Sequence, residues 1–396
     1  MDVLIVGASV AGVAAADALR SLGHTGRVVL VDADPNLPYD KPPLSKQALQ
    51  PGWDSQKALL RPAPYYQDKS IDLVLGRAAA SLDADRKAVT LDDGTELTAD
   101  AVVIATGVRA RRLSESSMLP GVFSIRTLAD SRALQQHLAR RSKLAIVGGG
   151  FIGAEVASVA AELGVTVTII DVLPLPFQHI FGPEVAAALA RRHSAHGVTL
   201  VCGQGVDRLD GDGRVQRVVL TNGQAIEADT VLLGLGAEPC VEWLHGSGIE
   251  LGNGVLCDEF GRTSTPGIYA AGDVAAWWSP TAQVHSRIEH WTTAKEQGAA
   301  VAHNITDGCK TAGSVPYFWS DQYGSRLQFL GTSSGYDQIE VVHGGLDTNE
   351  FVVLYGRAGI LIGALGLAAT RQLMRYRPLI DQRAPMTDLA QARAAS

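Results

Sequence analysis

Leu144-Ala145-Ile146-Val147-Gly148-Gly149-Gly150-Phe151-Ile152-Gly153-Ala154-Glu155 decides the fold. Four apolar residues read as a buried strand. Three glycines at loop spacing follow, and then an Ala-rich run reads as a helix over 153–163, with a strand expected over 165–170. In that setting the loop turns tightly and brings a pyrophosphate to a helix N-terminus. The amino end repeats the pattern: the run Val3–Val6, the loop Gly7-Ala8-Ser9-Val10-Ala11-Gly12, a helix over 11–22 and a strand over 28–31. The repeat of architecture is a stronger signal than either loop alone.

The two loops differ in one respect. Gly148, Gly150 and Gly153 fill all three small-residue positions, whereas Ser9 stands in the middle of the first loop between Gly7 and Gly12. Serine is small and can donate to a phosphate; an ordinary strand-to-helix turn is the alternative reading. An acid closes the second strand of each repeat, Asp32 in the first and Asp171 in the second. A carboxylate there accepts from ribose hydroxyls and repels a 2′-phosphate. Val172, Leu173 and Pro174 follow Asp171 with no arginine among them, which favours NADH over NADPH. Two nucleotide sites in one chain fit a tightly held flavin and an exchangeable nicotinamide, with hydride transfer between them.

Further along, each repeat continues into a β-meander, the second holding 215–220 and 231–233. The run 101–105 reads as a buried parallel strand ending at Thr106-Gly107. Gly267-Ile268-Tyr269-Ala270-Ala271-Gly272-Asp273 reads as a last strand entering a helix start, where Asp273 either caps a helix or accepts from a ribityl hydroxyl. A helix over 291–304 follows. If that strand returns to the first sheet, one domain is discontinuous and the other is inserted in it. After about residue 310, strands over 327–330, 339–343, 351–355 and 360–365 and a helix over 367–375 suggest a small α+β cap.

Composition sets the outer limits. The chain has 396 residues, 46% hydrophobic and 19% charged, enough for two or three domains. Its formal net charge of −7 argues against a general nucleic-acid binder. Cys202, Cys240, Cys257 and Cys309 show no CxxC spacing, which argues against a disulfide framework or a metal site and suits a reducing cytoplasm. No signal peptide or membrane span is expected.

Other residues carry two readings each. Pro38-Tyr39-Asp40-Lys41-Pro42-Pro43-Leu44-Ser45-Lys46 is stiffened by its prolines and ends on a lysine, either solvated or held beside a flavin to stabilise negative charge. Glu155, assigned to the first turn of the second nucleotide helix, either complements the helix dipole or pairs with Lys46. Trp291, Tyr317, Phe318 and Trp319 are either core or stacking residues. Arg61 and the run Arg109–Arg112 are either solvated or part of a docking surface.

The chain resembles the FAD-dependent NADH:ferredoxin reductases of bacterial oxygenase systems. The resemblance spans essentially the whole sequence and rests on residues 39–46, 148–155, 268–274, 287–297 (RIEHWTTAKEQ) and 316–323 (PYFWSDQY). It implies a glutathione-reductase-like α/β fold with two Rossmann-type domains and a small α+β C-terminal domain. The expected boundaries are an FAD domain over 1–112 and 238–310, an NAD domain over 113–237 and an interface domain over 311–396. It further implies Lys46, Glu155 and Trp291 as the reactive centre. Gly7, Ser9, Ala11, Gly12, Asp32, Ala33, Lys46, Ala79, Thr106, Gly107, Arg126, Gly272, Asp273 and Trp291 are expected at FAD. Gly148, Gly150, Ile152, Gly153, Glu155, Asp171, Gly234, Leu235 and Gly236 are expected at NADH. The implied partner is a 2Fe–2S ferredoxin feeding a Rieske-type oxygenase or a haem-thiolate monooxygenase, served by a cytoplasmic monomer or weak homodimer. Two readings stay open beside it: another acceptor such as rubredoxin or a quinone, and an NADH-responsive flavoprotein acting by partner binding. Disulfide reductases of this fold need a cysteine pair beside the flavin, where this chain offers Pro42-Pro43-Leu44-Ser45.

Overall fold

The computed structural model describes residues 1–113, 119–140, 143–306, 308–313 and 315–389. These form two compact units. One comprises 1–41, 55–109 and 237–316; the other comprises 42–54, 110–236 and 317–396. The far end of the expected C-terminal domain, 390–396, lies outside the described residues.

The first unit is built on a five-stranded parallel sheet. Its strand order is Ile268–Ala270, Ala101–Ile104, Val3–Val6, Val28–Asp32, Ile71–Leu75. These runs are almost wholly apolar because helices and loops cover both faces. Ile5, Leu30 and Ile104 have no measurable exposure, and each such side chain contributes about 1.5–3 kcal/mol on burial. The central strand Val3–Val6 runs into the helix Val10–Ser21 through the first glycine loop, at the point where strand order reverses. The expected return of strand Ile268–Ala270 to this sheet is observed, since it pairs with Ala101–Ile104.

The second unit repeats the plan. Its parallel sheet has the order Thr199–Cys202, Thr166–Asp171, Lys143–Val147, Thr230–Leu233, Val122–Phe123. The same unit holds an antiparallel sheet ordered Tyr317–Gln322, Ser325–Gly331, Ile360–Leu367, Phe351–Arg357, Gln338–Gly344. A core of Phe177, Phe181, Phe329, Phe351 and Tyr355 joins that sheet to the nucleotide helix Phe151–Glu162 through Ala154 and Phe151. Among the described residues no helix is long and apolar enough to cross a membrane.

Three sequence readings need correction. Residues 231–233 belong to the parallel sheet, next to Leu144–Val147, and not to the meander, which is Val206–Asp210, Arg217–Leu220 and Ala225–Glu227. A short apolar run fits either setting. Asp273 starts no helix: Gly272 turns at φ +78° and the chain enters the strand Ala275–Ser279. The expected terminal helix over 367–375 shrinks to Thr370–Met374, because Leu367 completes a strand whose register reaches Leu327 and Phe351.

Candidate functional site

The two glycine loops are wired identically. In the first, the Ala8 amide donates to Asp32 Oδ2 at 2.6 Å, and the Asp34 amide donates to Asp32 Oδ1 at 2.8 Å. In the second, the Gly149 amide donates to Asp171 Oδ2 at 2.8 Å, and the Leu173 amide donates to Asp171 Oδ1 at 2.9 Å. Each carboxylate therefore ties the end of its strand to the neighbouring loop. Both oxygens keep lone pairs for a ribose hydroxyl. The glycines in the first turn of each helix pack against the loop backbone. A Cβ at Gly12 would lie 1.9 Å from the Gly7 carbonyl oxygen, and one at Gly153 would lie 2.3 Å from that of Gly148. Neither helix has a side-chain cap from the residue before it, Ser9 or Gly150. The N-terminal amides thus point to where phosphate is expected. These cradles fit a dinucleotide pyrophosphate.

Around the first loop the structure gathers several expected residues. A Cβ at Gly7 would meet the Ala105 carbonyl and the Thr106 amide nitrogen, and one at Gly272 would meet Ala11 Cβ at 2.9 Å. The Gly272 amide donates to Gln297 Oε1, while Thr106 Oγ1 donates to the Cys240 carbonyl. Ala33 is exposed just past Asp32, and Ala79 opens the strand Ala79–Asp83. The Asp273 carbonyl accepts from Arg287. Gly107 follows Thr106 at φ +66°. Trp291 Nε1 donates to Asp40 Oδ1 at 2.7 Å, and Lys295 Nζ lies 5.4 Å from the Trp291 ring centre. Burial raises the Asp40 carboxyl above its usual range, with the Trp291 hydrogen bond opposing. Burial also pushes Asp34 upward, but hydrogen bonds from Tyr39 and Asn36 outweigh it and leave its carboxyl low.

Around the second loop, Gly234 sits against Gly148 and its amide donates to the Val147 carbonyl at 2.7 Å. Leu235 and Gly236 continue from it. Ile152 is 44% exposed and Val172 is 70% exposed. These apolar side chains left in solvent stand on the loop helix and beside Asp171.

Lys46, Glu155 and Arg126 all fall in this second unit. Lys46 Nζ lies 3.0 Å from Glu155 Oε1 and donates to the Pro42 carbonyl at 3.1 Å. Glu155 also accepts from Ser45 Oγ on Oε2 at 2.5 Å and from Ser320 Oγ on Oε1 at 2.6 Å. Lys46 and Glu155 are both buried. Removing either partner from such a pair costs about 3–5 kcal/mol, because it strands a charge. The ion-pair reading of Glu155 is therefore the observed one. Glu155 lies beyond the first turn of the helix Phe151–Glu162, which holds no acid. The Arg126 amide donates to Asp130 Oδ2 at the capping box of the helix Leu128–Leu138.

The remaining candidates divide. Phe318 packs into the aromatic core, and Tyr317 stacks on Trp319 with centroids 6.1 Å apart. Arg109 pairs with Glu238 and Glu242, and Arg61 pairs with Asp17 at 2.7 Å, so both side chains are engaged within their own unit. All four cysteines are free thiols.

Sequence reading passed over Asp40, Ser45, Ser320 and Gln322. The last two carried a signal. In an alternating strand Phe318, Ser320 and Gln322 share one face, and two polar residues on the face that buries Phe318 need internal partners.

Paired sheets with a glycine loop and a strand-end acid in each define a protein with two dinucleotide folds. The chain belongs to the pyridine nucleotide-disulphide oxidoreductase family, whose model matches residues 1–298; a reductase C-terminal model matches 317–395. It is similar to a ferredoxin–NAD(P)(+) reductase of Sphingomonas sp, 38% identical over 97% of this chain and 93% of the relative. It is also similar to the ferredoxin–NAD(+) reductase subunit of a benzene 1,2-dioxygenase system of Pseudomonas putida, 37% identical over 96% of this chain and 92% of the relative. Among solved structures it matches a covalent putidaredoxin reductase–putidaredoxin complex with a TM-score of 0.94 and 30% identity, covering 100% of this chain and 98% of that one.

Proposed function

We propose that this protein is an FAD-dependent NADH:ferredoxin reductase. It takes hydride from NADH and passes electrons singly to a 2Fe–2S ferredoxin that serves a Rieske-type oxygenase or a haem-thiolate monooxygenase. The observation that carries this is the duplicated cradle, in which Asp32 and Asp171 hold two glycine loops in one geometry. The relatives' shared ferredoxin reductase names support the choice of partner.

Bound FAD supplies the two-electron to one-electron chemistry. The chain's own residues bind and orient. The loop Gly7–Gly12 holds the FAD pyrophosphate, Asp32 its ribose, and Thr106, Arg126 and Asp273 further parts of the cofactor. The loop Gly148–Gly153 with Asp171 holds NADH, and 234–236 offers backbone to the nicotinamide. Asp171 favours NADH because its charge repels a 2′-phosphate. Trp291, oriented by Asp40, would offer its indole face to the flavin. Lys46, fixed by Glu155, would supply the ammonium that favours negative charge on the flavin. The protein works in the cytoplasm as a monomer or weak dimer.

The test is direct. The purified protein is yellow, NADH bleaches it without oxygen, and cytochrome c reduction then depends on added 2Fe–2S ferredoxin. A colourless protein that FAD does not reconstitute overturns the reading. Bleaching with no ferredoxin effect overturns the partner.

A further inference from the structure

Glu155 is held by more than Lys46. Its Oε2 accepts from Ser45 Oγ and its Oε1 from Ser320 Oγ, while Gln322 Nε2 donates to Ser320 Oγ at 3.0 Å. That last bond fixes the direction of the chain of hydrogen bonds. An amide N–H can only donate, so Ser320 receives from Gln322 and sends its own hydroxyl proton to Glu155. Ser320 is fully buried, and Gln322 and Ser45 are each 6% exposed, so water does not compete for these groups. Both carboxylate oxygens are thus engaged by donors that are themselves fixed. Lys46 spends one N–H on Glu155 and one on the Pro42 carbonyl. One of its three N–H bonds remains, with a single direction left to it.

We propose that Ser320, oriented by Gln322, is a positioning residue: by locking the Glu155 carboxylate it fixes the direction in which Lys46 presents its remaining N–H. The inference rests on the assignment of Lys46 to the flavin. It adds that the ammonium's aim is set from the strand Tyr317–Gln322, remote in sequence from both charged partners. A lysine stem has four flexible torsions, and a lone carboxylate partner leaves it several rotamers. Three donors converging on one carboxylate remove that freedom.

The test compares Ser320→Ala, Ser320→Thr and the parent protein, each carrying flavin. Reductive methylation followed by mass spectrometry reads how often Lys46 leaves its partner, normalised to the exposed Lys57 and Lys69. Loss of one charge-assisted hydrogen bond is expected to raise Lys46 labelling about tenfold in Ser320→Ala. The flavin midpoint potential is expected to fall in the same variant, and Ser320→Thr, which keeps the hydroxyl, restores both. Lys46 labelling in Ser320→Ala equal to the parent's overturns the proposal. So does a rise that Ser320→Thr shares. Should Ser320→Ala not fold, Ser320→Cys, close in shape but a weak donor, carries the same comparison. Flavin-loaded protein that accepts no hydride from NADH defeats the functional reading alone, because the labelling result is independent of turnover.

Discussion

Asp171 does two things with one carboxylate. It holds the second loop through the Gly149 and Leu173 amides, and it presents charge where an adenosine ribose is expected. The two roles separate by substitution. Asp171→Asn keeps an acceptor for the loop and removes the charge, so NADPH should gain on NADH by about tenfold, the factor for a single charge-assisted contact. Asp171→Ala should weaken both coenzymes, NADH the more, and also lower the melting temperature. Coenzyme titration of the three proteins reads the difference, and an unchanged NADH affinity in Asp171→Ala contradicts the ribose role. The strand-end acids were legible because a carboxylate after an apolar run, one βαβ unit past a glycine loop, has few other uses. The loop-tying bond was not, since it depends on which carboxylate oxygen faces which amide. Asp40 escaped for a related reason: its partner Trp291 is remote in sequence, and no spacing rule links a loop acid to an indole on a distant helix.

At the scale of elements, periodicity located what it is suited to locate. The strand Val3–Val6 falls where the apolar run placed it, and the helices Val10–Ser21 and Phe151–Glu162 begin within two residues of expectation. Each helix begins inside its glycine loop, and the glycine in its first turn touches the loop's own carbonyl. Gly153→Ala drives a Cβ into the Gly148 oxygen and should cost about 1–3 kcal/mol of stability through overpacking. NADH affinity should fall in the same variant while FAD content after purification stays at the parent level. Loss of FAD with retained NADH binding reverses the assignment of the two loops. Elements failed where one local pattern suits two settings. The run 231–233 reads equally as meander or parallel strand, and only its pairing with Leu144–Val147 decides. Gly272-Asp273 mimics a helix start, yet the positive φ at Gly272 turns the chain into a strand.

On the scale of the molecule, the described residues form two compact units where three domains were expected, with the C-terminal sheet and residues 42–54 grouped with the second parallel sheet. That grouping was hidden because it follows from the shared aromatic core and the Glu155 cluster, neither of which shows in linear order. Each unit also encloses a histidine ring, fully for His193 and partly for His290. His193, fully buried with its Nδ1 2.6 Å from the Tyr323 hydroxyl, is pushed down to about 4 by burial, with Arg192 and His196 adding. His290 is pushed down to about 4 by burial, with Asp273 opposing. An unfolded chain protonates these rings near 6.5, whereas the folded one resists until near 4. Stability is therefore intact above pH 6.5, declines as pH falls toward 4 and stops declining from this source below it. The order of magnitude is about 3 kcal/mol for each ring. Melting temperatures across that range should fall less steeply in His193→Gln than in the parent; parallel curves exclude the ring as a source of acid lability.

The matched wiring of Ala8 to Asp32 and Gly149 to Asp171 bears on descent. Two independent origins would have no need to use one strand-end carboxylate to tie both the loop and the residue two positions on. One ancestral strand, loop, helix and acid, copied in tandem and later divided between two nucleotides, leaves this signature. Ser9, at the loop position that Gly150 holds in the second copy, is then a mark of where the copies have since drifted apart.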